Sequence, residues 1–279
     1  MALPLPTLQA RSHAGLSFLT DEPLFAACGV RMGFTRRAGG VSEAPFDSLN
    51  LGGHVGDDAA AVAENRARLM AAAGLAQAEL LTLNQVHGDV VLSVAEAAPV
   101  PAAVREAAAA GADGVAVGVP DVAALLCFAD CTPVIVVSPT GAFAVAHAGW
   151  RGALANIPAR AVEALAALDA RLGATAGPAD YNAYIGPHIG AECYECGPEL
   201  VGRFAARYGA ACSVGGDHLD LEAAVRAGLA EAGVADARVA SAGECTACRD
   251  DRYFSYRKSG GRCGRHGAFA GRKEQPHGR

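Results

Sequence analysis

An α/β fold, with a mixed β-sheet covered by helices, is predicted by three features of the sequence. Apolar runs too short for helices and rich in β-branched residues recur along the chain, and amphipathic runs with helix punctuation stand between them. The apolar runs are joined both by tight turns and by those helices, which argues against a pure βαβ repeat. The chain has 279 residues, 52% hydrophobic and 19% charged, so it can bury a sizeable core. One domain over 1–279, with 1–25 and 270–279 as peripheral tails, is the simplest organisation.

Taken in order, the first helix is expected from Asp58 to Ala73. Val62, Leu69, Met70 and Ala73 share a face there, and Gly74 stops it. Strands follow at Leu80 to Val86 and Val90 to Val94, and the alanine-rich tract from Ala102 to Gly111 reads as a surface helix or loop. Three further strands are expected at Val122 to Phe128, Val134 to Ser138 and Phe143 to Ala146. A long helix is expected from Gly152 to Leu172, with Ala161, Val162, Leu165 and Leu168 on its apolar face and Gly173 after it. Beyond a strand from Tyr181 to Ile185, a short helix from Pro198 to Tyr208 has proline in its first turn and Gly209 behind it. The last helix follows the N-cap candidate Asp220, carries Leu221, Val225 and Leu229, and ends at Gly233.

Composition removes several function classes. The net charge is -6 and the basic residues are scattered, which argues against an extended nucleic-acid face. No cationic leader precedes an apolar run at the N-terminus, and Pro4 and Pro6 break any signal-like helix. The most apolar stretch, Val122 to Val137, is interrupted by Asp130 and Pro133 and cannot span a membrane. Nine cysteines, an odd number, point to reduced thiols and a cytoplasmic protein.

The candidate chemistry lies around a hairpin. Pro139, Thr140 and Gly141 form its turn, so symmetric pairing sets Pro133 opposite His147 and brings Cys131 beside His147. His87, in Asn84-Gln85-Val86-His87-Gly88, ends a strand and adds a third donor. Two imidazoles and one thiolate suit zinc or copper in one mononuclear site, with the fourth position left for water or substrate. The same Cys131 and His147 also suit a metal-free nucleophile and base. Ala148-Gly149-Trp150-Arg151-Gly152 leads into the long helix, whose start would favour an anion.

Other signals are blander. Cys127 reads as a small buried hydrophobe. Cys193 with Cys196, and Cys245 with Cys248, have zinc-ribbon spacing within each pair, but the pairs stand too far apart and read as reduced bystanders. Arg36, Arg151 and Arg257 lie beside turn glycines or helix starts, where a guanidinium can bind phosphate or simply be solvated.

Together these segments resemble the YfiH-like family, described both as laccase-domain polyphenol oxidases and as purine nucleoside phosphorylases. The matching pieces are Arg36 to Ser42, Phe46 to Gly52, Val55 to Asp58, Asn84 to Gly88, Ala129 to Val134, His147 to Gly152, Ile185 to Ile189, Cys193 to Glu195 and Phe254 to Arg257. His147-Ala148-Gly149-Trp150-Arg151-Gly152 is the most specific. The resemblance implies an α/β/β/α arrangement with mixed sheets, similar to toxins that use a Cys and His pair for hydrolysis. It implies metal binding by His87, Cys131 and His147; beside that trio, substrate contacts are expected from Arg36, Asn50, Gln85, Arg151 and Arg257, with Arg151 and the helix start holding phosphate and Arg36 or Arg257 closing on it. Implied activities are phosphorolysis of adenosine, inosine and methylthioadenosine, and deamination of adenosine. Implied partners are purine nucleosides and phosphate, for a monomer or homodimer. Cys196 stands where the family commonly has an aliphatic residue, Lys258 where it has arginine, and Cys263 where it has threonine.

Beside a non-catalytic metal-storage or partner-binding protein, two catalytic alternatives remain. One is a Cys131/His147 hydrolase editing peptidoglycan precursors. The other is a copper-dependent polyphenol oxidase, which one mononuclear site does not supply with the several coppers that dioxygen reduction needs.

Overall fold

The computed structural model describes residues 2–272. In chain order its strands are β1 (Gln9–His13), β2 (Leu16–Thr20), β3 (Val30–Thr35), β4 (Glu79–Thr82), β5 (Val91–Val94), β6 (Gly114–Val117), β7 (Val122–Phe128), β8 (Thr132–Val137), β9 (Phe143–Ala148), β10 (Asn182–Ile185), β11 (Ser213–Val214), β12 (His218–Leu219), β13 (Val239–Ser241) and β14 (His266–Arg272). Its helices are α1 (Glu22–Cys28), α2 (Ala59–Ala72), α3 (Ala102–Ala110), α4 (Trp150–Leu154), α5 (Ile157–Arg171), α6 (Pro198–Tyr208) and α7 (Leu221–Glu231).

Two six-stranded mixed sheets pack face to face. One has the order β1-β2-β3-β14-β7-β4, the other β13-β10-β8-β9-β6-β5, and β11 with β12 forms a small ribbon. Between the sheets, Phe34, Leu126 and Phe128 of the first meet Ile135, Phe143, Val145 and Tyr184 of the second. Side chains alternate along each strand, so Val134 and Val136 of β8 face outward, where Val162, Leu165, Phe204 and Val225 of the helices cover them. On the opposite side, Leu69 and Met70 of α2 cover Leu125 and Phe269. The layering is therefore α/β/β/α. Both faces of β8 and β9 are buried, which is why they read as continuous apolar runs. Among the described residues no helix is long and apolar enough to cross a membrane.

Several sequence expectations are corrected. The segment 1–25 is no peripheral tail, because β1 and β2 extend the first sheet and Leu3, Leu16, Phe18 and Leu19 are buried. Within 270–279, Ala270 to Arg272 complete β14, which lies between β3 and β7, and 273–279 fall outside the described residues. The strand β14 escapes a sequence reading because four of its seven residues are glycine or alanine and none is β-branched. Its small residues are required, since a Cβ on Gly267 would lie 2.7 Å from side-chain carbons of both Leu125 and Leu51. The helix expected from Gly152 to Leu172 is two helices. Asn156 is left-handed with φ 64° and Pro158 brings no N–H, so the chain breaks after one short turn and restarts at Ile157. The strand expected from Leu80 to Val86 stops at Thr82, leaving His87 in a loop.

The inter-sheet core predicts a sharp contrast between two truncations. Phe34→Ala, at a fully buried position, should lower unfolding free energy by about 3–5 kcal/mol. Leu172→Ala, at an exposed helix end, should change it by no more than about 0.5 kcal/mol. Urea titration of both variants measures the difference.

Candidate metal centre

The β8–β9 hairpin has the expected register. Pro133 pairs with His147, and the turn closes through Gly141 N–H donating to the Ser138 carbonyl at 3.0 Å. Cys131, immediately before β8, is thereby set beside His147 near the end of β9. His87 reaches the same point from the loop after β4. One donor atom from each of the three lies within 4.8 Å of the others, with His147 buried, Cys131 half-buried and His87 exposed. The two imidazole rings meet edge to face, with centroids 4.8 Å apart.

Asp113, which sequence reasoning missed, organises this meeting. Its fully buried carboxylate lies 2.7 Å from His147 Nδ1 and accepts from the backbone N–H groups of Val86, His87 and Gly88 at 3.1, 2.9 and 2.6 Å. Burial pushes the Asp113 carboxyl up, but the bonds from His147, Gly88 and His87 outweigh it and hold the group below the usual carboxylate range. A carboxylate at Nδ1 fixes the proton there and turns Nε2 of His147 toward the site. The only local signal is Ala112-Asp113-Gly114, an acid at the mouth of an apolar strand.

The thiol and imidazole perturb each other. Burial favours neutral Cys131, yet the charge and hydrogen bond of His147, with the bond from His87, bring the thiol down to about 6. Burial also opposes charge on His147, and the Cys131 thiolate with Asp113 brings the imidazole up to about 9. Both shifts describe one thiolate–imidazolium pair. The adjoining backbone is strained, with φ 60° at His87 and 86° at Asp130. Asp130 is held by Thr246 Oγ1 and by the N–H of Arg257, each donating to its carboxylate at 2.7 Å.

The trio opens into a cleft of about 550 Å³ whose walls include Gln85, Trp150, Tyr194, Tyr256, Arg257 and Arg265. Of the residues expected to touch substrate, Gln85 and Arg257 line it. Gln85 spends both ends of its amide on the backbone of Cys127, at 2.9 and 2.8 Å. Arg257 donates to the Glu195 carbonyl at 2.9 Å and sits over the Tyr194 ring. The other three lie outside the lining. Asn50 is buried and saturated by Gly52, Asp57 and the Arg265 N–H, so it holds loops together. Arg36 lies against Tyr253. Arg151 is exposed and stacks on Trp150, 4.2 Å from the ring centroid. The anion-favouring helix start expected after His147 is reduced to α4, a helix of five residues. Trp150, Tyr194, Tyr256 and Arg265 are cleft residues that sequence reasoning did not assign.

The donor set fits a metal ion. Two imidazoles and a thiol already biased toward thiolate suit zinc or copper. Gly149 preserves the space they converge on, since a Cβ there would lie 2.9 Å from His87 Cδ2 and 3.2 Å from Cys131 Sγ. The two Cys-x-x-Cys pairs are not independent bystanders: Cys193, Cys245 and Cys248 converge with Glu192 in a second group, while Cys196 stays outside it.

Residues 31–273 match the family described as multi-copper polyphenol oxidoreductase laccase. The chain is 39% identical over 245 residues to a purine nucleoside phosphorylase of Deinococcus radiodurans, covering 85% of this chain and 87% of that protein. It is 35% identical over 262 residues to the purine nucleoside phosphorylase YlmD of Geobacillus stearothermophilus, covering 91% and 93%. The crystal structure of that YlmD superposes with TM-score 0.81 at 31% identity, over 97% of this chain and 100% of that one. The hypothetical protein YfiH of Bacillus licheniformis gives TM-score 0.80 at 30% identity, over 95% and 99%.

The ion pair predicts a pH signature in metal-free protein. Because the Cys131 pKa is depressed to about 6, the thiolate persists at neutral pH, and alkylation by iodoacetamide should slow only as pH falls through about 6. His147→Ala should move that inflection upward by at least one unit, as followed by peptide mass spectrometry of the Cys131 adduct.

Proposed function

The chain belongs to the multi-copper polyphenol oxidoreductase laccase family, the YfiH-like proteins, and from that membership we propose that it is a metal-dependent purine nucleoside phosphorylase. Adenosine, inosine and methylthioadenosine are its proposed substrates, with deamination of adenosine as a second activity, in one catalytic domain working in the cytoplasm. The names of the relatives support this reading. The observation that carries it is the convergence of His87, Cys131 and His147 in a cleft walled by aromatic rings and two guanidinium groups.

Phosphorolysis joins a phosphate oxygen to C1′ of the ribose and breaks the bond from C1′ to the purine nitrogen, which leaves with the electron pair and takes a proton. Zn2+ or Cu2+ held by His87, Cys131 and His147 supplies a Lewis acid when bound. Trp150, Tyr194 and Tyr256 offer faces for a planar purine. Arg257 and Arg265 supply the positive charge that phosphate requires, in place of Arg36 and Arg151. Asp113 keeps the His147 proton on Nδ1, so that Nε2 stays directed into the site.

A second reading is favoured by a specific contact: Cys131, His147 and Asp113 are also arranged as nucleophile, base and orienting acid. In that role Cys131 would attack an amide carbonyl, as in a peptidoglycan precursor, without a metal.

Incubation with adenosine or inosine, with and without phosphate, after metal removal and after zinc or copper return, distinguishes the two. Phosphate-dependent, metal-restored release of base that is lost in Cys131→Ala is expected. Arg257→Ala should raise the phosphate KM about 10-fold or more while changing the nucleoside KM less. Full activity on an amide substrate in metal-stripped protein, with no nucleoside turnover, would favour the hydrolase.

A further inference from the structure

Glu192, Cys193, Cys245 and Cys248 lie outside the cleft and have no part in the reaction proposed above. Strands β10 and β13 are parallel neighbours, with Ala183 paired to Val239 and Ile185 to Ser241, so the segments leaving them emerge side by side. A bridge between His188 and Cys245 continues that pairing beyond the strands. Residues more than fifty positions apart thus arrive at one point. Four donor atoms, three sulfurs and one carboxylate oxygen, all lie within 4.8 Å of one another. The Cys193 and Cys248 sulfurs are 3.4 Å apart, and Cys248 Sγ is 3.6 Å from Glu192 Oε1.

From this convergence we infer that Glu192, Cys193, Cys245 and Cys248 form a second metal site that binds one zinc ion. A tetrahedral ion with Zn–S bonds of about 2.3 Å holds its sulfurs about 3.8 Å apart, close to the spacing present here. Cys245-Thr246-Ala247-Cys248 supplies the two-residue spacing typical of zinc-binding turns. Gly190 N–H donates to Cys245 Sγ at 3.1 Å, the bond a thiolate ligand accepts. Three sulfurs with a carboxylate match the borderline character of zinc better than that of a hard cation. A disulfide would need two of the sulfurs to close to about 2.05 Å and would leave the third thiol and Glu192 unexplained. Simple packing is a poor explanation as well, because Cys248 and Glu192 are exposed.

The site staples the cleft wall. Tyr194 follows Cys193 directly and lines the cleft, and Thr246, inside the cysteine turn, holds Asp130 next to Cys131. Arg257 also donates to the Cys193 carbonyl at 3.4 Å. Zinc here therefore fixes the segments that shape the first site without touching substrate.

Cobalt binding tests the inference independently of the first site. Full-length Cys131→Ala/His147→Ala protein, titrated with Co2+, should bind one equivalent and show thiolate-to-cobalt charge transfer with tetrahedral d–d bands. Adding Cys193→Ser and Cys248→Ser should abolish both. Absence of binding at micromolar Co2+ or Zn2+, or its persistence in the fourfold variant, would overturn the site, as would a Cys193–Cys248 disulfide in the purified protein. Wild-type protein gives a check that needs no substitution. Zinc should protect Cys193, Cys245 and Cys248 from iodoacetamide and a chelator should expose them, whereas equal labelling with and without zinc contradicts the proposal.

Discussion

Asp113 accepts hydrogen bonds from three consecutive backbone N–H groups and faces a histidine ring at the same time, with no exposure to solvent. A buried carboxylate is costly unless its oxygens are satisfied, and here the bonds that satisfy it come from the two segments carrying His87 and His147. Satisfying the acid and assembling the imidazoles are thus one event. If the acid were neutral or absent, the Val86 to Gly88 loop would lose the partner of its N–H groups and His147 would lose the anchor of its ring.

The sandwich places this assembly at the end of the inner strands. Pairing of β8 with β9 sets Cys131 beside His147, and pairing of β6 with β9 sets Asp113 behind His147, whose N–H donates to the Asp113 carbonyl at 2.7 Å. Left-handed backbone at His87 and Asp130 costs about 1–3 kcal/mol at each position and persists because surrounding hydrogen bonds over-determine it. The same logic extends outward. Asp130 is tied to Thr246 and Arg257, so the loops that wall the cleft depend on a buried acid, as the trio depends on Asp113.

Local rules made the hairpin legible: a Pro-Thr-Gly turn between two short apolar arms leaves one register, and that register delivers Cys131 to His147. Helix α6 was legible from its first-turn proline and terminal glycine. Asp113 was not, because a single acid before an apolar strand looks like any strand end until its partners arrive from a loop 25 to 27 residues earlier. The resemblance offered Asn50 as a substrate contact, and no local pattern in Leu49-Asn50-Leu51 shows that four hydrogen bonds tie its amide to the surrounding loops. Cysteine spacing misled for a related reason. Sequence separation set the two Cys-x-x-Cys pairs apart, whereas parallel pairing of β10 with β13 brings three of their four sulfurs together.

The most direct measurement is the affinity of the first site for zinc in Asp113→Asn, made in a Cys193→Ser/Cys248→Ser background so that only His87, Cys131 and His147 compete for the ion. An amide keeps the shape of the acid but loses its charge and one of its two acceptor oxygens, so affinity should fall about 10- to 100-fold while the far-ultraviolet circular dichroism stays unchanged. Affinity equal to that of the Asp113 parent would contradict the central role of the carboxylate and leave the three donors assembled by the strands alone.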